Sequence, residues 1–250
     1  MFVTKMMMIS HYFQKRETTR MEWGCISFPI VNSETMEMGL FIITVTMLTD
    51  IDDDKNYEIE NFLEIFPIKE IFNCAQTKKP RIYFPRNVWK MPMDTSKQLS
   101  LASVINYIKP LLPEGIFVCK FSSPNQSLEL SPKLVGTSLG LAVLLVLLGK
   151  KIDYRTALFS GTVQTIGAGD INDLPLTYVE KTCIKAKGAD MINSILVTPP
   201  NPVEDPASIY SNVVYVTTLS ELINVCEKIS RCGNMRGSQL VKEILVHSKN

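Results

Sequence analysis

Leu134-Val-Gly-Thr-Ser-Leu-Gly-Leu-Ala-Val-Leu-Leu-Val-Leu-Leu-Gly149 is the most apolar stretch of this 250-residue chain, and its reading decides the fold. Gly136 and Gly140 flank Ser138, so the backbone bends sharply there and leaves the hydroxyl uncovered. Leucines, valines and an alanine follow without a charge, which predicts a helix running into the core. The run is shorter than the roughly 20 residues that a spanning helix needs. Together with Gly136, Ser138 and Gly140 inside it, that favours a buried central helix over a membrane segment. A small serine at the head of a buried helix is one way of presenting a nucleophile.

Working outward, residues 115–121 read as a strand, and the loop 122–133, with Pro124 and Pro132, feeds the serine. Residues 94–109 predict a helix capped by Asp94 or Thr95 and stopped by Pro110. Residues 23–31 and 39–48 read as two strands joined by a polar hairpin loop. In residues 56–95, Pro80, Pro85 and Pro92 discourage helix, so this part is expected to be an insertion or extra layer. Residues 50–55 fail as a calcium loop, because Lys55 stands where glycine is needed and Asn61 replaces the bidentate glutamate. They read as a solvated acidic turn.

Beyond the central run, residues 160–166 predict a strand from their β-branched content. Residues 167–173 predict a turn, and 178–187 a helix ended by Gly188. Residues 194–198 and 213–216 read as short strands. Residues 219–229 predict a helix with Leu222, Val225, Cys226 and Ile229 inward, and 238–247 a terminal helix. The expectation is an α/β (α+β) protein with small mixed sheets flanked by helices. Its parts would be an irregular segment 1–20, a β-rich part with an insertion 21–95, a catalytic domain 96–230 and a tail or helix 231–250.

Composition narrows the function. Hydrophobic residues make up 46% and charged residues 20%, enough for a sizeable core. A formal net charge of +1 argues against a broad footprint for nucleic acid. The six cysteines, Cys25, Cys74, Cys119, Cys183, Cys226 and Cys232, form no C-x-x-C pair and no zinc-spaced cluster. Scattered thiols fit a reducing compartment, so a cytoplasmic protein without metal is expected. Lys5 interrupts the apolar start and no small-residue cleavage site follows, which argues against a signal peptide. There is no G-x-x-x-x-G-K-[ST] nucleotide loop, so any activity would proceed without ATP or another cofactor.

The chain has two histidines, His11 and His247, both near its ends. A serine–histidine–aspartate arrangement would have to borrow one of them, whereas a serine–lysine pair needs neither. Lys181, 43 residues after Ser138 at the head of a predicted helix, is the first candidate base. Lys185, one turn later, and Lys133, just before the serine loop, compete with it. A hydroxyl on the following strand, Ser160 or Thr162, would hydrogen-bond the amine. A free lysine is protonated at neutral pH, so a base lysine must be buried to lose its proton.

The order of these elements resembles the proteolytic domain of the Lon proteases over about residues 97–230. Gly136-Thr-Ser-Leu-Gly140 resembles that family's nucleophile motif, Asp-Gly-Pro-Ser-Ala-Gly, with Val135 in the acidic place and Thr137 for the proline. Ser160-Gly161 resembles its Thr-Gly-Glu/Ser element. Glu180-Lys181, ahead of Gly188, resembles the segment carrying the general base. Val197-Thr-Pro-Pro-Asn201 resembles its Ile-Pro-x-x-Asn strand and loop. The likeness extends to the stand-alone Lon-like Ser/Lys proteases of birnaviruses. It implies an ATP-independent serine endopeptidase with a Ser138–Lys181 dyad, acting on a protein or peptide. The oxyanion hole would come from the backbone N–H groups of Gly136, Thr137 and Ser138. No nucleic-acid or membrane partner is expected, and homo-oligomerisation is left open. The alternatives are a catalytically inactive Lon-like scaffold that binds a peptide or protein partner, and a small-molecule kinase of related glycine/serine-loop fold.

Overall fold

The computed structural model describes residues 19–49, 62–64, 80–85, 95–124, 134–135, 138–164 and 174–246. The irregular start up to residue 18, the acidic turn at 50–55, most of the 56–95 insertion and the turn at 167–173 lie outside them. So do Lys133, Gly136, Thr137 and both histidines.

The elements in chain order are β1 (Thr19–Asn32), β2 (Met38–Thr49), β3 (Phe62–Glu64), β4 (Arg81–Pro85), α1 (Thr95–Ile108), β5 (Ile116–Ser122) and β6 (Leu134–Val135). They continue with α2 (Leu139–Leu147), β7 (Ala157–Phe159), β8 (Thr162–Val163), β9 (Leu176–Thr177), α3 (Thr182–Met191), β10 (Ile195–Thr198), β11 (Val213–Tyr215), α4 (Leu219–Arg231) and α5 (Gly237–Val246). The chain is thus a mixture of helices and small sheets, of α+β type.

The largest sheet runs in the order β3-β4-β5-β2-β1-β6. It is mixed, because β4 and β5 are parallel while the β1–β2 hairpin and the other pairs are antiparallel. Alternation in β1 and β2 sets one face inward. Ile26 pairs with Ile43 and Phe28 with Phe41, all four buried, and the two phenylalanine rings stack with centroids 5.9 Å apart. That face meets α1 and α2 in one hydrophobic core. Leu48, Tyr83, Ile116 and Val118 form a smaller cluster of their own.

Helix α2 is buried all round: of its nine residues, only Gly140 is not fully enclosed. A helix apolar on every side belongs in the middle of a core. Trp23 of β1 donates its indole N–H to the Leu147 carbonyl (2.7 Å), satisfying an end-of-helix acceptor. No helix among the described residues is long and apolar enough to cross a membrane.

The second sheet, β11-β10-β7, is wholly parallel. Parallel neighbours need a crossover, and the chain between β7 and β10 supplies it through α3. Of the strand expected at 160–166, the described residues hold only β8, which pairs with β9 in a separate two-stranded ribbon, while the neighbouring strand of the parallel sheet, β7, ends before it at Phe159. The break between β7 and β8 falls at Gly161, whose φ of +140° is open to glycine and strained for other residues. A Cβ there would lie 2.8 Å from Pro199 Cδ and 3.2 Å from the Thr177 carbonyl oxygen.

The helix expected at 178–187 also differs. It begins at Thr182 and runs to Met191 through Gly188, which is not its stop. Gly188 is needed instead for close packing, since a Cβ there would sit 2.9 Å from Met38 Cβ. The main core includes residues of β1 and β2, of the central segment and of α5, so it runs across the expected part boundaries at 95/96 and 230/231.

Candidate active site

Ser138 is the N-cap residue of α2, and its hydroxyl, expected to be uncovered, is instead buried, with 1% of the residue's surface exposed. Its carbonyl accepts the first helical bond, from Ala142 N–H at 3.0 Å. Its side chain does not cap the helix. Ser138 Oγ instead accepts the backbone N–H of Gly161 at 2.9 Å. A hydroxyl has one proton and two lone pairs. With a lone pair held by Gly161, the proton is available to a separate acceptor.

The residue before Gly161 is the other anchor. Ser160 is fully buried, and its own N–H is tied to the Val197 carbonyl at 2.9 Å. Its Oγ accepts from Lys185 Nζ at 3.2 Å. The dipeptide Ser160-Gly161 therefore holds Ser138 through its second residue and Lys185 through its first.

Lys185 is fully buried. Burial pulls its pKa from the usual lysine value down to about 7, against the opposing influence of the Glu204 and Glu180 carboxylates. Desolvation penalises the ammonium, so a large share of this side chain is neutral amine near neutral pH. Such an amine accepts a proton, as a general base must.

Of the candidate lysines, the structure places Lys185, one turn after Lys181, beside Ser160. Lys181 precedes α3, stands in the left-handed region at φ 63° and is half-buried. The inward side of α3 is Thr182, Lys185, Ala186 and Ala189, an i, i+3, i+4, i+7 stripe. Lys185 lies on that stripe and Lys181 lies outside the helix. A signal was present in the sequence: in Thr182-Cys-Ile-Lys-Ala-Lys-Gly-Ala189, Thr182, Ala186 and Ala189 are small residues at helical spacing from Lys185.

Of the two hydroxyls expected to orient the lysine, the structure brings Ser160 to it. Thr162 sits in the β8–β9 ribbon opposite Thr177 and is half-buried. Of the three expected oxyanion donors, Ser138 lies among the described residues. No group of three His, Cys, Asp or Glu side chains converges as metal ligands among the described residues. The described cysteines, Cys25, Cys119, Cys183, Cys226 and Cys232, are free thiols.

No protein-family model matches the chain, and no curated protein matches it significantly.

Proposed function

We propose that this chain is a Lon-like serine endopeptidase that hydrolyses peptide bonds without ATP, with Ser138 as nucleophile and Lys185 as general base. One observation carries the reading: a buried serine and a buried lysine, whose pKa burial lowers to about 7, are anchored on the same dipeptide, Ser160-Gly161. The order of strand, serine, buried helix, Ser-Gly step, lysine helix and Pro-Pro-Asn loop supports it as well.

In this reading neutral Lys185 takes the Ser138 proton as Oγ attacks the peptide carbonyl. Of the donors expected at 136–138, the Ser138 N–H at the start of α2 would receive the oxyanion charge, since a helix start leaves such donors unpaired. The lysine ammonium then protonates the leaving amine, and water hydrolyses the acyl-enzyme by the same proton route in reverse. Ser160 holds the amine in place and Gly161 N–H holds Ser138 Oγ. The chemistry needs no metal or cofactor.

The competing reading, an inactive scaffold that binds a peptide or protein partner, is favoured by the near-complete burial of Ser138. Turnover separates the two. Wild-type protein should cleave casein or members of a fluorogenic peptide panel, with a rate that rises with pH through about 7 as Lys185 loses its proton. Ser138→Ala should be well folded and without turnover. Equal turnover in the Ser138→Ala protein would remove Ser138 from the chemistry.

A further inference from the structure

The helix that carries Lys185 lacks a cap of its own. Lys181, in the N-cap position, contributes no side-chain hydrogen bond to the first turn of α3. The capping group comes from 21 residues downstream, where Glu204 accepts the Cys183 N–H at 2.8 Å. Asn201 reaches the same turn. Its Nδ2 donates to Thr182 Oγ1 at 3.1 Å, and Thr182 Oγ1 in turn donates to the Val179 carbonyl at 3.1 Å. Asn201 Oδ1 accepts from Val203 N–H at 2.9 Å, which holds the loop's own shape.

The same segment also governs the other partner. Val197, at its start, accepts the Ser160 N–H, and Pro199 closes against Gly161. Residues 197–204 therefore touch both sides of the Lys185–Ser160 contact: the strand end carrying the hydroxyl and the helix turn preceding the amine. Lys185 is one turn beyond Thr182 and Cys183, so a shift of that first turn moves the amine relative to Ser160.

We propose that Glu204 is a positioning residue which, with Asn201, clamps the first turn of α3 and so fixes the lysine amine against Ser160. This rests on the reading of Ser138 and Lys185 as the reacting pair. Glu204 holds the Cys183 amide, and its charge also raises the Lys185 pKa; Ala and Gln both remove that charge, so comparing the two variants isolates the acceptor oxygen. The acceptor oxygen is what matters, so Gln, which keeps a side-chain carbonyl at the same reach, should substitute for it.

The test uses the full-length chain with Glu204→Ala and Glu204→Gln. Two readouts are taken: peptide turnover, and hydrogen exchange of the Cys183 amide followed by NMR. The Ala variant should lose about a hundredfold in kcat, the scale of a small misplacement of a catalytic group, with KM nearly unchanged. Its Cys183 amide should exchange at least about tenfold faster. The Gln variant should restore both. Wild-type exchange and kcat in the Ala variant would overturn the clamp, and so would a Gln variant that behaves like Ala. If wild-type protein cleaves nothing, the peptidase reading fails, while the exchange rates of the two variants still decide the clamp.

Discussion

Replacing Lys185 with methionine should make the protein more stable while removing the proposed peptidase activity. Lys185 is fully buried and its pKa falls to about 7 in the folded chain, whereas an unfolded lysine titrates near 10.4. Between those values the unfolded chain holds a proton that the folded chain has released, so stability rises with pH from about 7 to about 10. Below that window the folded protein carries the full cost of a buried ammonium, and above it the cost vanishes. At about 1.4 kcal/mol per pKa unit, the gap corresponds to roughly 4 kcal/mol near neutral pH. Methionine keeps the unbranched stem and removes the amine. It also removes one donor to Ser160 Oγ, costing about 1 kcal/mol. The net gain of about 3 kcal/mol at pH 7 is a rise of roughly 6–12 °C in Tm for a chain of this size.

The advantage should shrink as pH approaches 10. The thiols of Cys25, Cys119, Cys183, Cys226 and Cys232 are all pushed upward, mainly by burial. They act in the opposite sense, losing stability as pH rises above the ordinary thiol range. They are common to both proteins, so the difference between wild type and Lys185→Met isolates the lysine. Urea melts of both proteins at pH 7, 8.5 and 10 measure it. A Lys185→Met protein less stable than wild type at pH 7, or a difference that does not change with pH, would refute the reasoning.

Ser160→Ala should leave the fold intact and lower kcat by about a hundredfold through loss of lysine orientation, read from steady-state turnover beside a thermal melt. Gly161→Ala should destabilise by about 3 kcal/mol, because a side chain meets a forbidding φ and both Pro199 and the Thr177 carbonyl. A urea melt checks it, and a loss below about 1 kcal/mol would show that the strand break tolerates a Cβ.

Much of this architecture was legible because periodicity is local. The β1–β2 hairpin, α1, β5 and α2 follow from alternation, proline stops and an unbroken apolar run. Helix α4 buries the four residues its spacing predicts, Leu222, Val225, Cys226 and Ile229. The misreadings come from interactions distant in sequence. The β-branched residues of 160–166 suggest one strand, yet Pro199 and the positive φ of Gly161 set the short β8 apart from β7 in a different sheet. Gly188 looks like a helix stop, yet its missing side chain makes room for Met38. Lys181 looks like the head of a helix, but the β8–β9 ribbon and the left-handed turn at Lys181 delay the helix to Thr182. With the helix starting there, Lys185, not Lys181, lies on its inward face. The stripe of Thr182, Ala186 and Ala189 would have pointed to Lys185, because small residues at helical spacing mark the face that packs closely. The capping role of Glu204 had no local signature, since its partner lies 21 residues away.

The central claim is that Ser138 is a nucleophile activated by Lys185. Its most direct test is reaction of wild type, Lys181→Met and Lys185→Met with a fluorophosphonate probe at pH 8, with the modified residue located by mass spectrometry. The account predicts an adduct on Ser138 in wild type and in Lys181→Met, and loss of labelling in Lys185→Met. No adduct on Ser138 in wild type, or equal labelling of Ser138 in Lys185→Met, would contradict it.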